Sequence, residues 1–265
     1  MLERDEIEAV VEQLEEAARA RVAMRPPSVL HPGLPLDDAY AIQDAWTTRR
    51  IAAGRRPVGY KLGLTTPGTQ RALGVDRPIY GILFADMAVP NRGDLPLKEL
   101  IAPRVEPELA FVMRAPLAGE CTAAEALEAV ELAAPALEII DNRVIPIDAD
   151  TAKPRTALDI VADAGGAAGF VIADRRFNPR NVVLADIEVV LTSADGREMG
   201  CFSDVFGSPE NALVELAREL ARHGRALAAG DIVLTGSPLK PASIAAGSKV
   251  TADFGALGTI ELTAK

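Results

Sequence analysis

Histidine and cysteine are almost missing from this 265-residue chain, with two of each. His31 and His223 leave little room for a His-rich zinc site, and a Ser-His-Asp triad would have to use one of them. His223 ends a helical pattern beside Gly224, where an imidazole complements the helix dipole. Cys121 and Cys201 stand in unrelated contexts and form neither a zinc spacing nor a disulfide framework, which suits a reducing cytoplasm. No G-x-G-x-x-G lies between a strand and a helix pattern, so a Rossmann unit is not expected. No apolar run reaches membrane-spanning length, and Met1–Glu6 is acidic rather than basic-then-apolar, so a soluble chain without a signal peptide is expected. Positive charge is also in deficit. With 28 Lys and Arg against 38 Asp and Glu, the net charge of −10 speaks against nucleic acid or an anionic membrane as partner.

What is present has a clear order. Apolar positions at helical spacing over residues 5 to 24 (Ile7, Val10, Val11, Leu14, Ala17, Ala18) predict a surface helix ended by Pro26-Pro27. A second helix is expected from Asp37, with an Asp as its N-cap. From Val58 onward Gly and Pro punctuate short apolar runs: Val58–Leu64, Tyr80–Phe84, Glu108–Met113, Ala136–Ile140, Phe170–Ile172, Ile187–Leu191, Ile232–Thr235, Lys249–Phe254 and Gly258–Thr263. Helices over Thr122–Leu132 and Asn211–His223 interrupt them. The pattern predicts a helical region at 1–56 and a largely antiparallel, folded-over sheet system at 57–265. The length suits one large domain with such an appendage.

The run Arg104-Val105-Glu106-Pro107-Glu108-Leu109-Ala110-Phe111-Val112 places two acids two residues apart in a β-prone segment. In a strand, Glu106 and Glu108 share one face while Val105, Leu109 and Phe111 pack behind. A solvated strand face would account for that pair alone. Glu138, in Pro135-Ala136-Leu137-Glu138-Ile139-Ile140-Asp141, is a third acid where the pattern wants a hydrophobe, and buried charges are paired or bind metal. A hard cation such as Mg²⁺ suits such carboxylates. Lys61 is a lone cation inside an apolar, glycine-flanked run; the alternative is a snorkelling lysine at a strand end.

Taken in order, Gly59–Thr65, Leu73-Gly74-Val75, Pro78-Ile79-Tyr80-Gly81, Arg104–Glu108, Ala136–Arg143, Asp159–Ala164 and Gly230–Gly236 resemble the fumarylacetoacetate hydrolase superfamily. Within it they are similar to the branch of 2-oxo-4-pentenoate hydratases and 4-oxalocrotonate decarboxylases of aromatic meta-cleavage degradation. The resemblance implies an α+β fold, a mixed β-roll with peripheral helices and a helical N-terminal region. It implies Mg²⁺ or Mn²⁺ on Glu106, Glu108 and Glu138, with Lys61 facing the substrate. It places Asp141 and Arg143 behind the ligands and Leu64 beside the substrate, and it implies a homo-oligomer. The partner expected is a small 2-oxo acid, and a complex with a partner lyase of the same pathway is a further expectation.

The likeness leaves the reaction open. Hydratases of the branch tend to carry an acid where this chain has Ile79, and isoleucine cannot activate water, so decarboxylation is favoured over hydration. Two stretches instead resemble hydratases acting on seven-carbon dioates: Ile147–Arg155, with Lys153 and Arg155, and Ser237-Pro238-Leu239-Lys240-Pro241. In them Lys153, Arg155 and Lys240 are candidates to meet a distal carboxylate, and Ser237 is a candidate to bind the substrate or stand behind it. Where most members read Ala-Asp-Asn-Ala-Ser, this chain has Ala162-Asp163-Ala164-Gly165-Gly166. Either the N–H groups of Gly165 and Gly166 replace the missing amide as anion donors, or the site is wider. A non-catalytic paralogue that binds metal and an oxo acid is the alternative of another class. An acyl-pyruvate hydrolase is weaker still, because His31 offers no convincing His-Glu dyad.

Overall fold

The computed structural model describes residues 1–265. α1 (Arg4–Ala20) begins where the Glu6 carboxylate accepts the Glu3 N–H at 2.8 Å, and it buries Val10, Val11, Leu14 and Ala17 on one stripe. It stops at Arg21, which turns into the left-handed region at φ 57°, so Pro26-Pro27 do not end it. Pro27 instead opens the short α2 (Pro27–Leu30), as expected of a proline in a first turn. α3 (Leu36–Ala52) is preceded by Pro35 and has no side-chain cap. The expected Asp cap is thus not formed, and Asp38 accepts the Leu2 N–H, tying the start of α1 to α3.

The strands form two sheets. In the first, β1 (Pro57–Gly63), β2 (Ile79–Phe84), β4 (Arg104–Met113), β5 (Val130–Ile140), β6 (Ala167–Ile172) and β9 (Ile232–Leu234) run in the order β2-β1-β9-β4-β5-β6, and β10 (Ala242–Ser243) adds to the edge of β4. The second comprises β3 (Gly93–Leu95), β7 (Glu188–Ser193), β8 (Gly196–Cys201), β11 (Lys249–Asp253) and β12 (Thr259–Ala264), ordered β3-β12-β11-β7-β8. Only the β1–β9 and β12–β3 pairs are parallel. The β1–β9 approach needs Gly59: at φ 146° a Cβ there would stand 1.9 Å from the Ile232 carbonyl oxygen.

The remaining helices are α4 (Pro67–Leu73), α5 (Ala123–Glu128), α6 (Ala157–Ala162) and α7 (Pro209–Arg222). The helix expected over Thr122–Leu132 is confined to α5, because Val130 and Leu132 already pair with Met113 and Val112 as the start of β5. His223 follows α7, its ring 4.2 Å from that of Tyr40 and its Nε2 3.7 Å from Glu219. One hydrophobic core joins Val10, Leu14, Tyr40 and Trp46 of the N-terminal helices to Leu62, Leu109, Phe111 and Leu137 of the first sheet. Both cysteines are free, and no helix is long and apolar enough to cross a membrane.

Candidate metal centre

Glu106 and Glu108 lie two apart on β4, and Glu138 on β5 faces Glu106 directly across the ladder. One carboxylate oxygen from each lies within 4.8 Å of the others. Lys61 reaches them from β1, which β9 and β4 separate from β5 by about 14 Å in a flat sheet. The curl of the sheet and the long lysine chain close that gap, leaving Nζ 2.8 Å from Oε1 of Glu138.

These charges are out of water. Glu108 and Glu138 are 0% exposed and Lys61 2%, while Glu106 is half-buried. Oε2 of Glu108 accepts the Gly236 N–H at 2.8 Å. Oε1 of Glu108 and both oxygens of Glu138 accept no hydrogen bond, and Oε1 of Glu138 meets Lys61 Nζ as an ion pair. Burial first, then the charge of Glu138, pushes Glu106 up to about 8. Burial, followed by Glu138 and Glu106, holds Glu108 well above the usual carboxylate range, and burial raises Glu138 against the pull of Lys61. Burial works to lower Lys61, but the charges of Glu138, Glu106 and Glu108 together outweigh it and raise the ammonium. Three acids against one ammonium, with three orphaned oxygens, form a donor set that fits a hard divalent cation.

A glycine-lined slot holds the lysine stem. A Cβ on Gly81 would stand 2.1 Å from the Ala164 carbonyl oxygen and 3.2 Å from Cδ of Lys61; one on Gly165 would stand 3.0 Å from the same Cδ. Ala164, Gly165 and Gly166 all lie in the left-handed region, at φ 51°, 67° and 72°, and this turn aims the Gly165 carbonyl to accept from Lys61 Nζ at 3.2 Å. The Gly166 N–H is taken by the Asp163 carbonyl at 2.9 Å, so it is no anion donor. Ile79 Cγ1 and Lys61 Nζ both lie within 4 Å of the point where a Gly63 Cβ would stand, so both side chains face the same glycine.

Glu106 opens onto a cavity of about 660 Å³ lined also by Leu64, Thr65, Asp204, Ser237 and Lys240. Asp141 and Arg143 act as braces. The Asp141 carboxylate accepts from Ile101 and Ala102 N–H at 2.8 and 2.7 Å. Arg143 binds the Asp163 carboxylate at 2.6 Å and the carbonyls of Asp141, Asp163 and Ala167 at 2.6, 2.7 and 3.1 Å, so it grips both ends of the Ala164–Gly166 turn. Lys153 and Arg155 do not line the cavity; Arg155 donates to the Val144 carbonyl at 3.1 Å.

The family model described as fumarylacetoacetate (FAA) hydrolase C-terminal matches residues 73–264. The chain belongs to the fumarylacetoacetate hydrolase family. Its relatives in that family include a 2-oxo-hept-4-ene-1,7-dioate hydratase from Escherichia coli, 34% identical over 253 residues, covering 95% of both chains. A 4-oxalocrotonate decarboxylase from a Pseudomonas species is 34% identical over 265 residues, covering 97% of each. Among solved structures, 4-oxalocrotonate decarboxylase from Pseudomonas putida G7 complexed with magnesium and adipate superposes with a TM-score of 0.94 at 28% identity, over 100% of this chain and 99% of that one. The α+β, fumarylacetoacetate hydrolase-type fold with its helical N-terminal region, expected from the sequence, is the fold found.

Several contributors to this candidate site carry little sequence signal. Asp163 looks like any helix-end acid until Arg143 is seen on it. Gly81 could have been singled out, because a glycine inside an apolar strand marks close backbone approach. Asp204 is exposed, far in sequence from the other acids, and reaches the cavity only through the fold.

Proposed function

We propose that the protein is a divalent-metal-dependent lyase acting on unsaturated 2-oxo or 2-hydroxy acids of aromatic meta-cleavage degradation, and that decarboxylation of a 4-oxalocrotonate-type dioate is its reaction. The observation that carries this reading is the buried Lys61 ammonium held against three convergent carboxylates with orphaned oxygens. Glu106, Glu108 and Glu138 would hold Mg²⁺ or Mn²⁺. When bound, the ion supplies Lewis-acid polarisation of a 2-oxo group.

The chain's own residues do the rest. Lys61 keeps its proton at Nζ because the neighbouring acids raise it, and of its three-donor capacity it spends one hydrogen bond on the Gly165 carbonyl, with Glu138 beside it as an ion pair. In the decarboxylation the bond from the distal carboxylate to its neighbouring carbon breaks. The carboxylate leaves as CO₂, its electron pair passes into the conjugated system toward the 2-oxo oxygen, and a proton is returned to carbon. Lys61 steadies the moving charge and supplies that proton. Ile79, buried against the same glycine as the lysine tip, keeps that side dry, and Lys240, with Ser237 in the same cavity lining, meets a carboxylate of the substrate. A hydratase is the second reading, supported by relatives of equal identity and by the Asp204 carboxylate at the cavity, which can handle water in place of an acid at Ile79.

Incubation of the purified protein with Mg²⁺ and six- and seven-carbon unsaturated 2-oxo dioates, followed by mass spectrometry, separates the readings. Loss of CO₂ is expected. Gain of water establishes the hydratase, and no product from any substrate overturns both in favour of a metal- and oxo-acid-binding paralogue.

A further inference from the structure

Gln43, in α3, is fully buried, and its side-chain amide bridges two elements that flank Lys61. Nε2 donates to the Tyr80 carbonyl of β2 at 3.1 Å and to the Val161 carbonyl of α6 at 2.8 Å. Both partners are pure acceptors, so the amide orientation is fixed by chemistry. Oε1 is left buried without a partner. A polar group kept in the core with half its capacity unused is retained for what its two N–H groups do.

They set a spacing. Tyr80 stands between Ile79 and Gly81, and Gly81 forms one wall of the slot around the Lys61 stem. Val161 leads through Asp163 into the Ala164–Gly166 turn, which forms the other wall and supplies the carbonyl that receives Nζ. The two N–H groups of a primary amide diverge at a fixed angle, so one side chain holds β2 and the end of α6 at a set distance. We propose that Gln43 is a positioning residue for Lys61: the N-terminal helical region sets the width of the lysine slot through this amide. The kinetic part of the test rests on the lyase reading above, whereas the structural part does not.

The test uses the full chain loaded with Mg²⁺ and labelled with ¹³C at the lysine ε-carbons, of which there are six; Lys61→Met assigns the Lys61 signal. Gln43→Met keeps length and helix propensity but removes both donors. It is expected to move or broaden the Lys61 resonance while leaving the other five in place. Turnover should fall by about 10- to 100-fold, the scale of small misplacements of a reacting group, with Mg²⁺ affinity unchanged. Val10→Ala, in the α1 core away from the slot, controls for lost stability and should leave both readouts at their wild-type values. An unmoved Lys61 signal in Gln43→Met, or the same change in both readouts with Val10→Ala, overturns the positioning role. Absence of turnover in the wild type overturns only the lyase reading, and the resonance still decides Gln43.

Discussion

Lys61 and Glu138 meet at 2.8 Å with neither group in water, so each favours the charged form of the other against the cost of burial. Removing the ammonium leaves an acid trio more attractive to a cation but takes away the proton donor proposed for the substrate. Lys61→Met should therefore bind Mg²⁺ no more weakly than wild type by calorimetry, while turnover falls by about 10²- to 10⁴-fold. A loss of metal binding that parallels the loss of turnover would contradict the separate roles. At this scale the sequence is informative where residue type clashes with pattern. Glu106, Glu108, Glu138 and Lys61 stand out as charges in apolar runs, and the fold brings them together. It is uninformative where function rests on backbone: the Gly165 carbonyl that receives Lys61 depends on three consecutive left-handed residues, one of them an alanine.

The element carrying that carbonyl is held by one buried ion pair. Arg143 and Asp163 are both buried, and the guanidinium also serves the carbonyls of Asp141, Asp163 and Ala167. Asp163→Ala leaves this cation unpaired in the core and should destabilise the fold by about 3–5 kcal/mol, read as a lowered urea midpoint. A change within about 0.5 kcal/mol, as for ordinary surface substitutions, would show that the pair does not brace the turn. Strands with strong period or continuous apolar runs are legible in the amino-acid sequence, β1, β2, β4 and β9 among them. Three short helices, α2, α4 and α6, are not. α4 opens on Pro67 and Gly68, and none of its residues is buried to give a periodic stripe. The helix expected over Thr122–Leu132 starts where expected, at the Thr122–Glu125 capping box, but is shorter, because the conformation of Val130–Leu132 is decided by pairing with β4.

For the molecule as a whole, the buried acids set how stability depends on pH. Burial and the charge of Glu138 push Glu106 up to about 8 against an ordinary value of 4.5. The folded state therefore holds the proton more tightly than the unfolded chain, and this group's contribution to stability is lost as pH rises from about 4.5 through about 8. A bound divalent cation displaces that proton, so the rise in Tm on adding Mg²⁺ should be small at pH 5.5 and grow toward pH 8.5 by scanning calorimetry. An increment that does not change with pH would mean that Mg²⁺ binds elsewhere. The N-terminal helices share the core of the sheet, which composition and periodicity alone do not reveal, because a surface helix and a bracing helix carry the same apolar stripe.

The metal centre is tested most directly by the Mg²⁺ dependence of turnover in wild type and in the Glu106→Gln, Glu108→Gln double variant. Saturable, chelator-sensitive turnover is expected in the wild type, with a loss in the double variant greater than the about 10- to 100-fold that removal of an outer-shell partner costs. Turnover retained by the double variant, or wild-type turnover indifferent to chelation, would contradict a three-glutamate metal site.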